Sequence, residues 1–323
     1  MKIGAIQALR AVGALLVVFQ HVTVYVLLSR GIDFMPYLRF DFGRAGVLLF
    51  FVISGFVMAG CMKEGRSFIA HRALRIYPAF WLAAGISFLL LHTPYGIRAL
   101  LLTPHVLVNS PYTVPYWTLI YEAMFYVLTY AAILAGLQRR GVTIALLVWF
   151  ASLVMVSQYH QVPLLVPAGW IWFSTLNVYF IFGMLAALYR EEVDRIPTVG
   201  LALFAILAWA ADAGLKGDAM AYQAVLACVY VSLVMLAMRF DWNPWLQRLG
   251  DYSYGLYLLH VPLIGLAILA LKDSSTRVSL FWIATFAFAV LGGLAFGWIE
   301  FRLHRMMKTA GRALRPATAQ PSA

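Results

Sequence analysis

The first apolar stretch of the chain, residues 6–22, reads IQALRAVGALLVVFQHV and predicts a membrane-spanning helix with two ionisable side chains, Arg10 and His21. At ~100° per residue, eleven residues make three turns plus roughly 20°, so both side chains lie on one helix face. They are separated by roughly 16 Å along the axis, about half the hydrocarbon thickness of a bilayer. Ionisable groups at this depth usually face a protein interior or a wet cavity and mark function. The alternative is that Arg10 snorkels at the membrane edge and His21 is a hydrogen-bonded interior histidine.

The composition is that of a membrane protein. The 323 residues are 63% hydrophobic and 11% charged, with a mean hydropathy of +0.84. An ordinary soluble domain carries about 25% charged residues. The net charge of +11 would suggest a nucleic-acid partner in a soluble protein. In a membrane protein, Lys and Arg that accumulate in cytoplasmic loops explain it better, so we expect no nucleic-acid partner.

The apolar segments predict an all-α, polytopic helical bundle with about ten transmembrane helices. We expect one transmembrane domain over residues 1–308 and a disordered C-terminal tail over 309–323. The ten segments are 6–28, 43–62, 68–91, 117–137, 142–158, 170–189, 199–215, 219–238, 253–272 and 278–300.

The distribution of positive charge predicts the orientation. With ten spans and a cytoplasmic N-terminus, 17 of the 24 Lys and Arg residues fall on the inner side and seven on the outer side. This asymmetry satisfies the positive-inside rule. Both termini are therefore predicted to be cytoplasmic, and the long 92–116 loop is predicted to lie outside.

A basic motif opens the third segment, where residues 68–78 read FIAHRALRIYP. Arg72 and Arg75 are three positions apart and therefore neighbours on one helix face. Two guanidinium groups at the cytoplasmic mouth of a span suit a polyphosphate, because each can bind phosphate oxygens bidentately. An anchor to anionic lipid headgroups is the alternative.

The loop before the fourth segment leads into the sequence PYTVPYWTLIYEAMFY at residues 111–126. Glu122 is the only carboxylate within the first six predicted segments, and Tyr126 lies one turn from it. A carboxylate in this setting suits acid–base chemistry. Trp117 and the neighbouring tyrosines, Tyr112 and Tyr116, fit either an interfacial aromatic belt or a surface that stacks against a sugar ring.

The ninth segment opens with LGDYSYGLYLLHVP at residues 249–262. Asp251 is a candidate helix cap, and Ser253, Tyr257 and His260 fall on one polar stripe. Near the end of the tenth segment, Glu300 is expected to pair with nearby basic groups. The sequence contains no GxSxG elbow, P-loop, HExxH motif or Cys/His metal array, so we expect no metal.

Taken in order, these fragments resemble the membrane acyltransferase-3 family, particularly its exopolysaccharide and O-antigen O-acetyltransferase members. The resemblance covers nearly the whole chain. The chain departs from many relatives at Leu48, where they carry an aspartate. The matching fragments are QALR at 7–10 with His21, FFVISGF at 50–56, RALRIYP at 72–78, WTL at 117–119 with Glu122 and the FY pair at 125–126, FGM at 182–184, and SYGLYLLH at 253–260.

The resemblance implies an enzyme of the bacterial inner membrane that moves an acyl group, usually acetyl from acetyl-CoA, to a carbohydrate hydroxyl. It also implies that His21 is catalytic, with Arg10 from the same R-x10-H motif, and that Arg72 and Arg75 form an RxxR motif. The expected partners are acyl-CoA, a carbohydrate or glycolipid acceptor and the lipid bilayer. A homo-oligomer or polysaccharide-biosynthesis proteins are further candidate partners.

The leading hypothesis is therefore an acyl-CoA-dependent O-acyltransferase in which His21 acts as a base or carries the acyl group. Arg10 would stabilise CoA charge or an oxyanion, and Glu122 would orient His21 or the acceptor. The alternatives are a transporter or flippase of an acylated or sugar lipid, and an acyltransferase for a small hydrophobic acceptor such as a macrolide. The candidates for substrate contact are Trp117, Tyr126, Tyr257 and His260.

Overall fold

A computed structural model describes residues 3–104, 112–160, 170–212, 220–272 and 274–313. Within these ranges the regular structure is helical, with no strand. The helices are α1 (Ile3–Ser29), α2 (Phe42–Cys61), α3 (Phe68–Leu91), α4 (Ile97–Leu100), α5 (Trp117–Leu134), α6 (Arg139–Ser157), α7 (Asn177–Leu188), α8 (Arg190–Asp194), α9 (Thr198–Asp212), α10 (Met220–Ala237), α11 (Pro244–Leu271) and α12 (Val278–Ala313).

The chain is a polytopic helical membrane protein, and an α-helix lies at each of the ten predicted positions. Two apolar helices, Asn177–Leu188 and Thr198–Ala210, are shorter than a full crossing. One candidate span holds both α2 and α3, which are separated by the 3-10 turn Met62–Ser67. Seven stretches of the described residues are long and apolar enough to cross a membrane: Gly4–Ser29, Phe42–Leu91, Trp117–Leu134, Arg139–Ser157, Met220–Ala237, Pro244–Leu271 and Val278–Thr309.

Two predicted boundaries are wrong at their N-terminal ends. The helix predicted from residue 170 begins at Asn177, whose buried amide donates hydrogen bonds to the carbonyl oxygens of Ile171 (2.9 Å) and Trp172 (3.0 Å). The helix predicted from residue 253 begins at Pro244, because Asn243 accepts a hydrogen bond from the Trp245 amide (2.8 Å) and caps the helix there.

The early start of α11 changes the role of Asp251. This residue lies inside the helix and is not its cap. Its side chain accepts a hydrogen bond from Gln7 Nε2 of α1 at 2.8 Å. Asp251 therefore joins two helices that are 244 residues apart in the sequence.

The C-terminal helix is longer than predicted. Helix α12 continues through Ala313, so residues 309–313 are helical and the predicted tail boundary at 309 is too early. Residues 314–323 of the predicted tail lie outside the described residues, as do 105–111 of the predicted outer loop and 213–215 at the end of the seventh predicted segment.

Helix α1 packs against α2, α11 and α12 and forms the centre of the bundle. Small residues allow this close approach. A Cβ atom added at Gly250 of α11 would collide with the carbonyl oxygen of Gln7, and one added at Gly46 of α2 would collide with that of Gly13. Polar side chains of α1 are thereby held against neighbouring helices instead of facing lipid.

Candidate active site

A cavity of about 500 Å³ lies between α1, α2, α3, α5, α11 and α12. Its walls carry four cationic side chains, those of Arg10, Arg72, Arg75 and Lys308, and one carboxylate, Glu122. The cavity wall therefore carries more cationic than acidic side chains inside an apolar bundle. Six of the nine predicted site residues line it: Arg10, Arg72, Arg75, Glu122, Tyr126 and Tyr257.

The two arginines of the RxxR motif each have a carboxylate partner. Arg72 Nη2 lies 3.1 Å from Glu64 Oε1, and the Nε atom of Arg72 is buried without a hydrogen-bond partner among the described residues. Arg75 forms an ion pair with Glu300, which is only 3% exposed. The expected pairing of Glu300 is thus confirmed. Arg72 therefore has one donor that no described residue satisfies, whereas Arg75 neutralises a buried acid.

Arg10 lies in the cavity wall with few bonds of its own. Among the described residues, it donates one long hydrogen bond, from Nη1 to Gln7 Oε1 at 3.3 Å. The same Gln7 side chain donates to Asp251. Because Arg10 faces the cavity, most of its hydrogen-bonding capacity is directed towards that space and not towards lipid headgroups.

Glu122 and Tyr126 form a hydrogen-bonded pair on α5, with the Tyr126 hydroxyl as donor. The spacing of one turn, read from the sequence, brings them together as expected. The hydrogen bonds of the described residues join Glu122 to Tyr126 and not to His21. The expectation that Glu122 orients His21 is therefore wrong in this structure, and Glu122 remains a polar group of the cavity wall.

His21 is instead paired with the second intramembrane histidine. His21 Nδ1 lies 2.9 Å from His260 Nε2, and the two rings are nearly parallel with centroids 5.0 Å apart. His260 is fully buried, and its Nδ1 lies 2.6 Å from the carbonyl oxygen of Tyr257. The two histidines thus form a connected pair between α1 and α11.

Tyr257 stands between the cavity and this histidine pair. Its hydroxyl lies 2.7 Å from that of Thr118, and its ring packs edge-on against Phe50 with centroids 5.9 Å apart. All three residues line the end of the cavity that lies nearest to His260 along α11. The ring centroid of Tyr257 is 5.7 Å from that of His260. His21 therefore does not line the cavity, and the contacts lead from the wall residue Tyr257 through His260 to His21.

Aromatic residues border His21 away from the cavity. The His21 ring lies 6.1 Å from that of Tyr25, and Tyr25 lies 5.5 Å from Tyr112 in the segment before α5. Both tyrosines are partly exposed. His21 therefore has His260 and the cavity wall on one side and two partly exposed tyrosines on the other.

Comparison with known proteins decides the family. Residues 3–299 match a family model described as an acyltransferase domain. The chain belongs to this acyltransferase family.

Two curated proteins are similar to this acyltransferase over most of its length. The exopolysaccharide production protein ExoZ of Rhizobium meliloti (strain 1021) is 29% identical over 319 residues, which cover 86% of this chain and 93% of the relative. The nodulation protein 10 of Rhizobium leguminosarum bv. viciae is 26% identical over 304 residues, which cover 78% of this chain and 80% of the relative. No solved structure matches the chain.

Three predicted site residues do not line the cavity: His21, His260 and Trp117. The histidines are joined to its wall through Tyr257, as described above. Trp117 packs edge-on against Tyr121 with centroids 6.3 Å apart. None of the three therefore contacts a molecule held in the cavity in this conformation, and a reaction at His21 requires a rearrangement of the wall around Tyr257.

Sequence reasoning missed two residues of the acyltransferase cavity. Ser54, within the FFVISGF fragment, belongs to the cavity lining, and its buried hydroxyl has no partner among the described residues. Lys308 also lines the cavity, because α12 continues beyond residue 300, where the tenth predicted segment ends. Lys308 lies beyond the residues that match the family model, so the resemblance offered no signal for it.

Proposed function

We propose that this acyltransferase moves an acyl group, acetyl in the simplest case, from acyl-CoA to a hydroxyl of a cell-surface carbohydrate. The cavity is the observation that carries the proposal, because it offers cations to a polyphosphate and its wall residue Tyr257 packs against His260, the hydrogen-bond partner of His21. The ExoZ relative is an exopolysaccharide production protein, which supports an exopolysaccharide acceptor. An O-antigen or a lipid-linked sugar presents the same hydroxyl chemistry.

Acyl-CoA would bind with its phosphates near Arg72 and Lys308. Arg72 lines the cavity and its Nε–H has no partner in the part of the chain that the structure describes, and an unsatisfied buried donor gains most from a charged acceptor. Lys308 is exposed and contributes a charge at the opening. The pantetheine arm would then follow the wall formed by α2 and α11, past the free hydroxyl of Ser54, and place the thioester near Tyr257.

In the proposed reaction, His21 removes the proton from the acceptor hydroxyl. The hydroxyl oxygen attacks the thioester carbonyl carbon, the C–O bond forms and the C–S bond breaks. The CoA thiolate leaves and recovers the proton from His21, so the products are a carbohydrate ester and free CoA. General-base assistance of this kind contributes about 10²–10⁴-fold to a rate.

Under this proposal, Arg10 stabilises the charge of bound CoA and does not contact the reacting carbonyl. It lies eleven residues from His21, which is roughly 16 Å along α1, and a hydrogen bond spans only about 3 Å. The Arg10 side chain extends towards Gln7, on the turn that lies away from His21, so in this conformation Arg10 does not reach a carbonyl held at His21. Of the two roles expected from the sequence, stabilisation of CoA charge therefore fits the geometry.

Acyl transfer through His21 itself is the second form of the same reaction. The imidazole would attack the thioester, release CoA and pass the acyl group to the acceptor. Incubation with radiolabelled acetyl-CoA without an acceptor, followed by a denaturing quench, separates the two. Label that stays on the wild-type protein and is absent from a His21→Ala variant indicates the acyl carrier, and its absence from both indicates direct transfer.

The decisive experiment uses protein purified into lipid nanodiscs with radiolabelled acetyl-CoA and exopolysaccharide fragments. We expect base-labile label on the carbohydrate, one free CoA per ester formed, and loss of both in His21→Ala. Movement of a glycolipid across the bilayer without release of CoA would contradict the proposal and indicate a transporter. A His21→Ala variant with full activity would remove His21 from the mechanism.

Donor binding can be measured separately because Cys61 lines the cavity as a free thiol. The second free cysteine, Cys228, does not line the cavity and can be replaced by serine. In this background we expect acyl-CoA to slow the reaction of Cys61 with a maleimide. Protection in His21→Ala would show that this variant is folded and still binds the donor.

A further inference from the structure

Both ring nitrogens of His260 have hydrogen-bond partners, and the partner of Nδ1 can only accept a hydrogen bond. His260 Nδ1 lies 2.6 Å from the backbone carbonyl oxygen of Tyr257, and a carbonyl oxygen only accepts. Nδ1 of His260 therefore carries a proton and donates it. In a neutral imidazole the other nitrogen then has a lone pair and accepts.

This assignment determines which ring nitrogen of His21 carries the proton. His260 Nε2 is the acceptor in the 2.9 Å contact with His21 Nδ1, so His21 Nδ1 must be the donor. A neutral His21 with its proton on Nδ1 has its lone pair on Nε2. The backbone of α11 thus sets the tautomer of a residue on α1 through one intervening ring.

We propose that His260 is a positioning residue that holds His21 in the Nδ1–H tautomer and leaves Nε2 as the basic atom. The inference rests on the proposed function only for the reaction that Nε2 would serve. His260 does not line the cavity and is 0% exposed, so it acts through His21 and not on the substrate. This role replaces the substrate contact expected for His260 from the sequence.

The His21–His260 contact also fixes the orientation of the base. After His21 takes a proton at Nε2, its Nδ1–H still donates to His260, so the imidazolium does not lose its partner. A hydrogen bond to a charged group is stronger than one between neutral groups. The pair is therefore more strongly bonded after proton transfer than before, which favours the protonated base during the reaction.

Two variants separate this role from simple packing. His260→Phe keeps a ring of similar size but removes the acceptor, whereas His260→Gln supplies an amide oxygen near the former position of Nε2. We expect kcat to fall about 100-fold in His260→Phe and to recover at least five-fold in His260→Gln, since a misaligned base loses much of its general-base contribution. The KM for acyl-CoA should change less than two-fold in both, because the cavity wall is intact.

A spectroscopic measurement identifies the tautomer of His21 independently of any catalytic activity. In ¹⁵N NMR of protein labelled at its seven histidines, the His21 signals are identified by their loss in His21→Ala. We expect a protonated Nδ1 and an unprotonated Nε2 in the wild type, and a mixture of tautomers in His260→Phe. Maleimide protection of Cys61 by acyl-CoA provides the control for folding.

The outcomes distinguish the two proposals. If the wild type transfers no acyl group but His21 is protonated at Nδ1, the proposed function fails and the positioning role stands. If the wild type transfers acetyl while His260→Phe keeps its kcat, the positioning role is overturned and the function stands. A wild-type His21 protonated at Nε2 overturns the positioning role in either case.

Discussion

Replacement of Arg72 by methionine is expected to weaken acyl-CoA binding more than replacement of Lys308 by methionine. Its loss leaves Glu64 with a partner, because His71 Nδ1 lies 2.7 Å from the second carboxylate oxygen of Glu64. Glu64 is also 27% exposed and thus partly hydrated. Arg72→Met therefore removes a donor-binding group without leaving an isolated buried charge.

The size of the effect follows from burial. The Arg72 side chain is 19% exposed, and a hydrogen bond to a charged group in such a setting contributes about 1.5–3 kcal/mol. This corresponds to about a 10- to 150-fold rise in the KM for acyl-CoA. Lys308 is exposed, and an exposed charge pair contributes about 0.2–1 kcal/mol, or about 1.4- to 5-fold.

The assay measures initial rates in nanodiscs at varied acetyl-CoA and saturating acceptor for the wild type, Arg72→Met and Lys308→Met. We expect kcat to stay within two-fold in both variants, because neither side chain contacts the histidine pair. Protection of Cys61 from a maleimide gives the donor dissociation constant independently of turnover. The Lys308 effect should disappear at high salt, since exposed charges are screened.

Two results would refute this reasoning. If both variants bind acyl-CoA within two-fold of the wild type, the RxxR motif does not hold CoA phosphates and the lipid-anchor alternative gains support. If Lys308→Met weakens donor binding more than Arg72→Met, then burial is not what determines the contribution of each cation.

Three further predictions concern the framework and the acceptor. Arg75→Met should lower stability by about 3–5 kcal/mol, because it leaves the buried carboxylate of Glu300 unpaired; Arg75→Met with Glu300→Gln should regain most of it in thermal melts, and an equally low melting temperature would contradict this. Tyr25→Ala should raise the acceptor KM about 2- to 10-fold at unchanged donor KM, and an unchanged acceptor KM would remove Tyr25 from the acceptor surface. Gly250→Val should abolish folded protein, whereas Gly60→Val, where an added Cβ meets nothing within 4 Å, should keep monodisperse protein in size-exclusion chromatography; similar yields would show that the close helix contact is dispensable.

Hydrophobic length was sufficient to predict where helices lie, and less informative about where they begin. The N-terminal part of α11 was missed because residues 244–252 mix charged, polar and apolar side chains and do not read as a span. The capping residue Asn243 and the following Pro244 form a helix-start signal that was available in the sequence. Helix α7 was predicted too long, since an apolar run does not distinguish a helix from the 3-10 turn Ile171–Phe173 beside it.

In the candidate site, contacts within one helix were predictable from the sequence, whereas contacts between distant helices were not. The contact of Tyr126 with Glu122 follows from helical spacing and was predictable. The contact of His21 with His260 joins residues 239 positions apart, and it depends on how α1 and α11 are rotated against each other. The hydrophobic periodicity of either helix alone does not predict how the two helices are rotated against each other. That rotation is determined by close packing, which places the backbone at Gly250 directly against α1.

The α1–α11 contact holds both ends of the proposed reaction path. Near one end, Gln7 bridges Arg10 in the cavity wall to Asp251, and near the other, His21 meets His260. A small shift of α1 against α11 would therefore disturb donor binding and the orientation of the base together. Variants at this contact should lose donor affinity and kcat in parallel, whereas His260→Phe should lose kcat alone, and this difference distinguishes a framework residue from one that positions His21.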